Sequence, residues 1–364
     1  MRRTTVLLWV AALAVLAAVA TGTMASAGER TPIAGKPSAR TDPAVASAAR
    51  AATGGVGSQP SQPAPPIAAE PLTPRSAFAG PDFSDWSTAQ KVDEIEGNSP
   101  EVNTPSLDGC PMESPDGLSL YMASNRPGGL GGLDIWVSRR DSPDAAWGAP
   151  ENLGEPVNSA ADDFCPTPIH GGGLFFVSRE ALPGSCGLAD IYFTRRDPAR
   201  GWSEPEHLAC APAGPNSALD EQGPSYVQAR LYFSRSSATV AGDLYVSKKH
   251  GMTFGPAEPI TELNDPSAND IQPNVRKDGR EIVFSSNRSG TLGSQDLWAA
   301  TRASVEDPWS APVNLGPAVN TAAGETRPSL SWDAETLYFG RMPGPEGSTD
   351  IYVSTRAKVP GSDT

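Results

Sequence analysis

The chain has 364 residues and a formal net charge of −14 at pH 7, from 42 acidic and 28 basic side chains with three histidines. This acidic balance argues against nucleic acid or an anionic lipid surface as the partner, because both attract basic proteins. It is compatible with a solvated extracellular surface. Cation binding is compatible with it as well, although the charge alone does not imply it.

The first 27 residues have the pattern of a secretory signal peptide. The basic pair Arg2–Arg3 precedes the apolar run Val6–Ala20, and Ala25–Ala27 forms a small-residue cleavage site. The alternative is an uncleaved anchor, because Val6–Ala25 is just long enough to span a bilayer. We expect cleavage before Gly28, and a mature protein that is secreted or held in the cell envelope or periplasm without membrane insertion.

Residues 28–80 are dominated by Ala, Pro, Ser, Gly and Thr, with Phe78 as the one aromatic residue. Such a segment cannot bury enough apolar surface to offset the entropy lost on ordering. The composition therefore predicts a disordered linker, with a cell-wall-associating segment as the functional alternative. Residues 359–364 are expected to form a short tail.

Between these segments, a seven-residue phrase led by aspartate recurs five times, at intervals of 56, 53, 53 and 54 residues. The copies are DIWVSRR from Asp134, DIYFTRR from Asp190, DLYVSKK from Asp243, DLWAATR from Asp296 and DIYVSTR from Asp350. A period near 54 with several short strands per period is typical of a β-propeller with one blade per copy.

Each period predicts four strands: an aromatic-led outer strand, a proline-containing inner strand, an apolar second strand and the Asp-led third strand. The prolines place the first of these at a sheet edge, because proline cannot donate a ladder hydrogen bond. The first outer strand starts near Trp86, before any complete blade, and the last blade ends near Arg356. We therefore predict an all-β, five-bladed propeller of four-stranded antiparallel blades over residues 81–358, closed by Trp86–Val92.

Two segments carry a family resemblance. SPDGLSLYMASNRPGGLGGLDIWVSRR (Ser114–Arg140) and RKDGREIVFSSNRSGTLGSQDLW (Arg276–Trp298) resemble the WD40-like PD40 repeat of the TolB-type propeller family. In the other copies Ser-Asn-Arg shortens to Ser-Arg or Gly-Arg, and the third copy lacks the Asp-Gly turn. The resemblance covers residues 82–357 and implies an exported bacterial propeller. It implies little about function, because propellers host unrelated activities.

The four cysteines fall in the first three predicted blades, and export favours disulfides. Cys110 and Cys165 occupy equivalent positions at the start of neighbouring inner strands. Cys186 lies in the second-to-third loop of blade 2, and Cys210 lies in the connection that leaves this blade. Of the three possible connectivities, we predict Cys110–Cys165 and Cys186–Cys210. We do not expect these cysteines to bind a metal ion, because CxxC spacing is absent and histidine is scarce.

Each predicted blade also presents two acids and one arginine around one loop cluster. The inner acids are Asp108, Asp163, Glu221, Asp270 and Glu325, the arginines are Arg126, Arg179, Arg235, Arg288 and Arg341, and the second acids are the five leading aspartates. One interpretation is structural, with each arginine bridging a carboxylate and loop carbonyls. In the other, some inner acids line the mouth of the central channel and bind a ligand or Ca²⁺.

Trp332 departs from the periodic tryptophans, which we expect to pack between blades, and is a further candidate for ligand binding. The sequence favours a non-catalytic binding or scaffold module, monomeric, acting through its loop face on a protein, peptide or carbohydrate. A glycoside hydrolase or sialidase-like enzyme using channel carboxylates is the alternative. A serine peptidase is excluded, because the chain has no G-x-S-x-G elbow.

Overall fold

In a computed structural model, which describes residues 83–359, twenty-one β-strands form five small antiparallel sheets. Each sheet is one blade, and the sheets follow one another around a central axis as a five-bladed β-propeller, as predicted. The signal-peptide and linker predictions, residues 1–27 and 28–80, lie outside the described residues. Within residues 83–359 no helix has the length and apolar character needed to cross a bilayer.

The strand order inside each blade follows the chain from the axis outward. Blade 1 contains β2 (Asp108–Glu113), β3 (Ser119–Ser124), β4 (Asp134–Arg139) and β5 (Glu151–Asn152). Blade 2 contains β6 (Asp163–Ile169), β7 (Gly173–Ser178), β8 (Asp190–Asp197), β9 (Gly201–Trp202) and β10 (Glu206–His207). Blade 3 contains β11 (Asp220–Val227), β12 (Arg230–Ser236), β13 (Asp243–His250) and β14 (Thr253–Pro259). Blade 4 contains β15 (Asp270–Val275), β16 (Glu281–Ser286), β17 (Asp296–Thr301) and β18 (Val313–Asn314).

The ring closes as the sequence predicts, in blade 5. This blade contains β19 (Gly324–Leu330), β20 (Thr336–Met342), β21 (Asp350–Thr355) and the N-terminal β1 (Gln90–Lys91), which a short 3₁₀ turn (Val92–Glu94) follows. The guanidinium of Arg356 lies 3.9 Å from the ring centroid of Phe83 and 4.3 Å from that of Trp86. It also forms an ion pair with buried Glu281 at 2.7 Å. The two ring contacts fasten the N-terminal segment to the last blade, and the ion pair joins this blade to β16 of blade 4.

The periodic tryptophans pack in the hydrophobic core between blades. Trp147 and Trp309 are buried, and each has an arginine of the third strand's end, Arg140 or Arg302, at 4.0 Å from its ring centroid. Such cation–π contacts contribute about 1–2 kcal/mol when partly desolvated. These tryptophans are therefore framework residues of the fold.

Every inner strand contains a β-bulge at an X-Pro step, which shapes the axis. The residue before each proline has a positive φ, at Cys110 (49°), Cys165 (50°), Gly223 (60°), Gln272 (54°) and Arg327 (56°). These five residues and the prolines that follow them line the central channel. We call the five residues the channel ring.

Both predicted disulfides are confirmed. Cys110–Cys165 joins two neighbouring members of the channel ring, with Cα atoms 4.9 Å apart. Cys186–Cys210 joins two loops of blade 2, with Cα atoms 5.7 Å apart. Three of the four cysteines therefore belong to blade 2, and both bonds constrain it.

Candidate functional site

The loop face is the end of the propeller where the inner strands begin. Because neighbouring strands are antiparallel, Asp108 at the start of β2 lies opposite Ser124 at the end of β3, which lies opposite Asp134 at the start of β4. The second-to-third loops and the blade-to-blade connections therefore meet on this face. The opposite end, which carries the turns between inner and second strands, is called the turn face.

The five inner acids hold the connections that lead into their own blades. In blade 1 the backbone N–H and the hydroxyl of Thr104 donate to Asp108 Oδ2 at 2.6 and 2.7 Å. Equivalent backbone bonds run from Ser159 to Asp163, from Ser217 to Glu221, from Asp265 to Asp270 and from Thr321 to Glu325. All five carboxylates are at most 1% exposed. They are buried, and none of them is among the residues that line the cavity at the channel ring.

In four blades an arginine compensates the buried inner acid. Arg235 Nε donates to Glu221 at 2.8 Å and Arg341 Nε donates to Glu325 at 2.7 Å. The other two pairs are Arg126 with Asp108 and Arg288 with Asp270. Each of these arginines also donates to a loop carbonyl. This geometry matches the structural interpretation in blades 1, 3, 4 and 5.

In the same loops, an asparagine side chain forms the pair of backbone hydrogen bonds that a peptide group of a neighbouring strand would form. The side chain of Asn158 accepts the backbone N–H of Ile135 at 2.8 Å and donates to its carbonyl at 3.0 Å. The same pair of bonds recurs at Asn103, Asn216, Asn264 and Asn320. Because this arrangement is present in every blade, it is a structural element of the repeat.

The leading aspartates of the third strands are less uniform than the sequence suggests. Asp134, Asp190 and Asp296 each accept two backbone N–H groups of the preceding loop. Asp350 accepts the N–H of Glu346 at 3.2 Å. No loop N–H among the described residues donates to the Asp243 side chain, whose pKa is raised by burial. The predicted loop-fixing role therefore fails at Asp243, where the preceding loop is shorter.

Blade 2 departs from the arginine pattern because Arg179 is out of register. Asp163 lies opposite Ser178, so Arg179 stands one residue beyond the cross-strand partner and faces the other side of the sheet. In blades 1 and 4 the arginine stands two residues beyond, and in blades 3 and 5 it lies directly opposite. The prediction that Arg179 is equivalent to the other arginines is therefore wrong.

Two groups in blade 2 lose partners as a result. Arg179 Nε is buried without a hydrogen bond, and its nearest carboxylate oxygen is Asp162 Oδ2 at 3.8 Å. Asp163 keeps the backbone N–H and the hydroxyl of Ser159, at 2.6 and 2.8 Å, but has no arginine. Burial raises the pKa of Asp163 to about 6. This is the one inner acid of the five that is buried without a cation.

The central channel is narrow and has no carboxylate in its lining. Its cavity has a volume of about 20 Å³, which is room for little more than one water molecule. Met112 lies across it, with its Sδ 3.0 Å from Ser329 Oγ and 3.6 Å from Asn274 Nδ2. The channel is therefore closed below the channel ring.

Trp332 covers the turn-face end of the channel. Its ring meets that of His170, from a non-adjacent blade, edge to face at 4.4 Å, and the Lys277 ammonium lies 5.7 Å from it. Trp332 is 40% exposed. It follows β19, whereas Glu325 lies near the start of that strand, so the two are separated by roughly 20 Å at about 3.3 Å per residue. Trp332 and the inner acids do not form one site.

Arg327 is the charged residue of the channel ring, and the sequence reasoning missed it. Its guanidinium makes no hydrogen bond or ion pair with any described residue, and Nη1 lies beside Gly109, where an added Cβ would stand 3.3 Å away. Burial, reinforced by the positive charge of Arg179, lowers the pKa of Arg327 to about 10. The available signal was the X-Pro step, where the other copies have Cys, Cys, Gly and Gln.

The sequence reasoning also missed a group of exposed apolar side chains on the loop face. They share one location, the second-to-third loops of blades 1 to 4. The set, which we call the loop-face crescent, is Leu130 (49% exposed), Leu182 (43%), Leu188 (74%), Val240 (45%) and Leu292 (52%). The crescent residues thus belong to four of the five blades and lie on one face of the propeller.

One cluster consists of residue types that bind metal ions, but its cysteine is not available as a ligand. His207 Nε2 lies 3.0 Å from Asp190 Oδ2 and 3.8 Å from Cys186 Sγ. Cys186 is bonded to Cys210, so no thiolate is available to a metal. In blades 1 and 4 an asparagine, Asn152 or Asn314, donates to the corresponding aspartate. His207 thus takes the place of a framework amide.

No family model matches this protein, and no curated protein matches it. Among solved structures, TolB from Acinetobacter baumannii is similar at 12% identity and a TM-score of 0.42, over 68% of this protein and 54% of that one. A thermostable family-43 glycoside hydrolase is similar at 12% identity and a TM-score of 0.47, over 69% of this protein and 89% of that one. The GH43 endo-arabinanase from Bacillus licheniformis has 12% identity and a TM-score of 0.46, over 69% and 94%.

The matched region thus spans about half the length of this TolB structure. The similar structures include both TolB and glycoside hydrolase propellers, so they do not single out the PD40 family. Likenesses at this identity and score carry no argument about activity. The five-bladed architecture stands on the strand pairing itself.

Proposed function

We propose that this protein is an exported, non-catalytic β-propeller that docks a protein or peptide partner on its loop face. The observation that carries the proposal is the loop-face crescent. Five of the nine large apolar side chains exposed in the described part of the protein lie on these loops. Apolar side chains clustered on one face of a protein mark an interaction surface, whereas scattered ones do not.

Glycoside hydrolysis is the weaker alternative. It uses two carboxylates roughly 5–10 Å apart across an open pocket, and ligand pockets have volumes of about 300–1,000 Å³. The channel lining contains no carboxylate and its cavity is about 20 Å³. Asp163, with its pKa of about 6, is the feature that favours acid catalysis. However, its carboxylate is buried beneath a loop, where no substrate oxygen reaches it.

Export is supported by the disulfides. Two disulfides in a protein with no free cysteine fit an oxidising compartment. The apolar loops of the crescent would then face the extracellular or periplasmic space, where a partner protein can reach them.

The test is a capture experiment with the mature protein. Wild type, the crescent variant Leu188→Ser with Leu292→Ser, and the control Met252→Ser are immobilised and exposed to envelope extract of the source organism. Met252 is also exposed, but its hairpin follows β13 to the turn face. We expect quantitative mass spectrometry to find proteins that wild type and the control retain and that the crescent variant loses at least about tenfold.

Equal retention by all three proteins contradicts docking on the loop face. A glycan array with the same proteins provides the second arm, and glycan binding without protein capture contradicts the proposed partner class. Calcium binding by the inner acids stays a prediction, tested by calorimetric titration of the mature protein with CaCl₂.

A further inference from the structure

The mouth of the channel contains an uncompensated positive charge in an otherwise acidic protein. The net charge is −14, yet the guanidinium of Arg327 has no carboxylate partner among residues 83–359. The positive charge of Arg179 contributes to the lowered pKa of Arg327. The Arg327 side chain is half-buried, so it has lost part of its hydration without gaining an anionic partner.

Arg179 directly follows β7, at the loop-face end of blade 2. Its side chain faces away from Asp163, and its buried Nε lacks a hydrogen bond. Two acids are close to it: Asp162, at 3.8 Å, and Asp220, whose pKa is raised by burial and lowered in part by Arg179. Neither acid compensates Arg327. Arg327 therefore lines the channel with guanidinium N–H donors that no described residue accepts, and Arg179, on the same face, leaves its Nε–H unused.

We propose that the channel mouth is a carboxylate-binding site, in which Arg327 is the primary anion-binding residue and Arg179 the second. The site would receive a carboxylate of the docked partner, either an Asp or Glu side-chain group or the partner's terminal carboxylate. This inference rests on the proposed docking function. Guanidinium groups suit this ligand, because their planar N–H donors match the two oxygens of a carboxylate.

The dimensions of the channel restrict the group that enters. The cavity of about 20 Å³ next to Arg327 is too small to enclose a sugar ring, so a carboxylate on a thin stem would bind at its loop-face opening. Met112 and, at the turn face, Trp332 close the path behind it. The anion therefore enters from the loop face, at the centre of the crescent that would contact the same partner.

The internal repeat supplies a substitution that fits the backbone. Gln272 occupies the channel-ring position of blade 4 with a φ of 54°, close to the 56° of Arg327. Arg327→Gln thus removes the charge while copying a side chain already present in the ring. Arg139→Gln is the control, because Arg139 is an exposed arginine on the third strand of blade 1.

The direct measurement is a titration of the ¹⁵N-arginine-labelled mature protein with sodium acetate against sodium chloride at constant ionic strength. We expect the Nε–H signals of Arg327 and Arg179 to move with acetate in wild type and in the control. Acetate affinity should fall at least about tenfold in Arg327→Gln and less in Arg327→Lys, which keeps the charge but loses the planar donors. Unmoved arginine signals, or equal affinity in Arg327→Gln, would overturn the proposal.

Further arms identify the source of the carboxylate. Ac-Ala-Ala-Ala with a free terminal carboxylate and Ac-Ala-Asp-Ala-amide distinguish a terminal from a side-chain carboxylate, and Ac-Ala-Ala-Ala-amide should not bind. Tighter binding of glucuronate than of every peptide contradicts the thin-stem argument. The crescent variant should still bind acetate, so loss of partner capture and loss of anion binding are separate outcomes.

Discussion

Blade 2 differs from blades 1 and 4 in the two residues that follow the serine at the end of the second strand. Blades 1 and 4 have Ser-Asn-Arg after the second strand, and the arginine returns to the inner aspartate. Blade 2 has Ser178, Arg179 and Glu180, so the arginine occupies the asparagine position and an acid occupies the arginine position. This difference leaves Asp163 without a cation and turns Arg179 away from it. A repeat can thus keep its strand order while one copy acquires a different arrangement of charges.

The largest expected effect comes from breaking an intact pair. Arg288→Gln leaves the buried Asp270 carboxylate uncompensated, and such a loss costs about 3–5 kcal/mol of unfolding free energy. Arg179→Gln should cost less than about 1 kcal/mol, because its 3.8 Å contact with Asp162 is partly exposed. Denaturant unfolding measures both. Equal losses would show that Arg179 is as structural as Arg288.

The raised pKa of Asp163 should make the unfolding free energy depend on pH. Its pKa is about 6 in the folded protein and about 3.9 when unfolded. The folded state therefore binds more protons between these values, so the unfolding free energy falls as pH rises from about 4 to 6, by roughly 3 kcal/mol, and is level above. Asp163→Asn should remove this slope in unfolding experiments from about pH 4 to 8. Parallel profiles of variant and wild type would contradict it.

Two substitutions should restore the pair of arginine and inner acid in blade 2. Arg179→Asn combined with Glu180→Arg rewrites it as Ser-Asn-Arg and should pair Asp163, which raises the unfolding free energy at pH 7 by about 2 kcal/mol. The control is Glu204→Gln, an exposed position with the same net change in charge, +1. The repaired protein should lose the Asp163 slope and bind acetate more weakly. A repaired blade no more stable than the control would count against the register argument.

The repeat pattern of the sequence predicts the number of blades and the ring closure, but it predicts the cross-strand register of individual blades less directly. The Asp-led phrase predicts the number of blades, and the early outer strand near Trp86 predicts the ring closure, because both follow from the order of the strands. The cross-strand register was harder to read. In blades 1 and 4 the inner acid is an aspartate, Asp108 or Asp270, and the motif at the end of the second strand is Ser-Asn-Arg. In blades 3 and 5 the inner acid is a glutamate, Glu221 or Glu325, and the motif is the shorter Ser-Arg or Gly-Arg. Asp163 has the shorter form, and this mismatch was the signal that Arg179 differs.

Arg327 and the crescent could not be recognised from the same pattern. An arginine before a proline has no distinctive chemistry until the bulge directs it into the channel. Likewise, an isolated leucine in a Gly-rich loop gains meaning only when four loops meet on one face. Such features depend on convergence of distant segments, which local periodicity does not encode.

The smallest expected effect concerns Arg327 itself. Arg327→Gln removes a half-buried cation that the positive charge of Arg179 disfavours, so the unfolding free energy should stay unchanged or rise by up to about 1 kcal/mol at low ionic strength. Thermal and denaturant unfolding without added anion measure this change. A loss above about 1 kcal/mol would mean that Arg327 holds the channel ring together.

The most direct test of the account is a crystal structure of the mature protein grown with sodium acetate. We expect Arg179 to face away from Asp163, and an acetate at the loop-face mouth to accept hydrogen bonds from Arg327 and Arg179. An ion pair between Arg179 and Asp163, with an empty mouth, would contradict it.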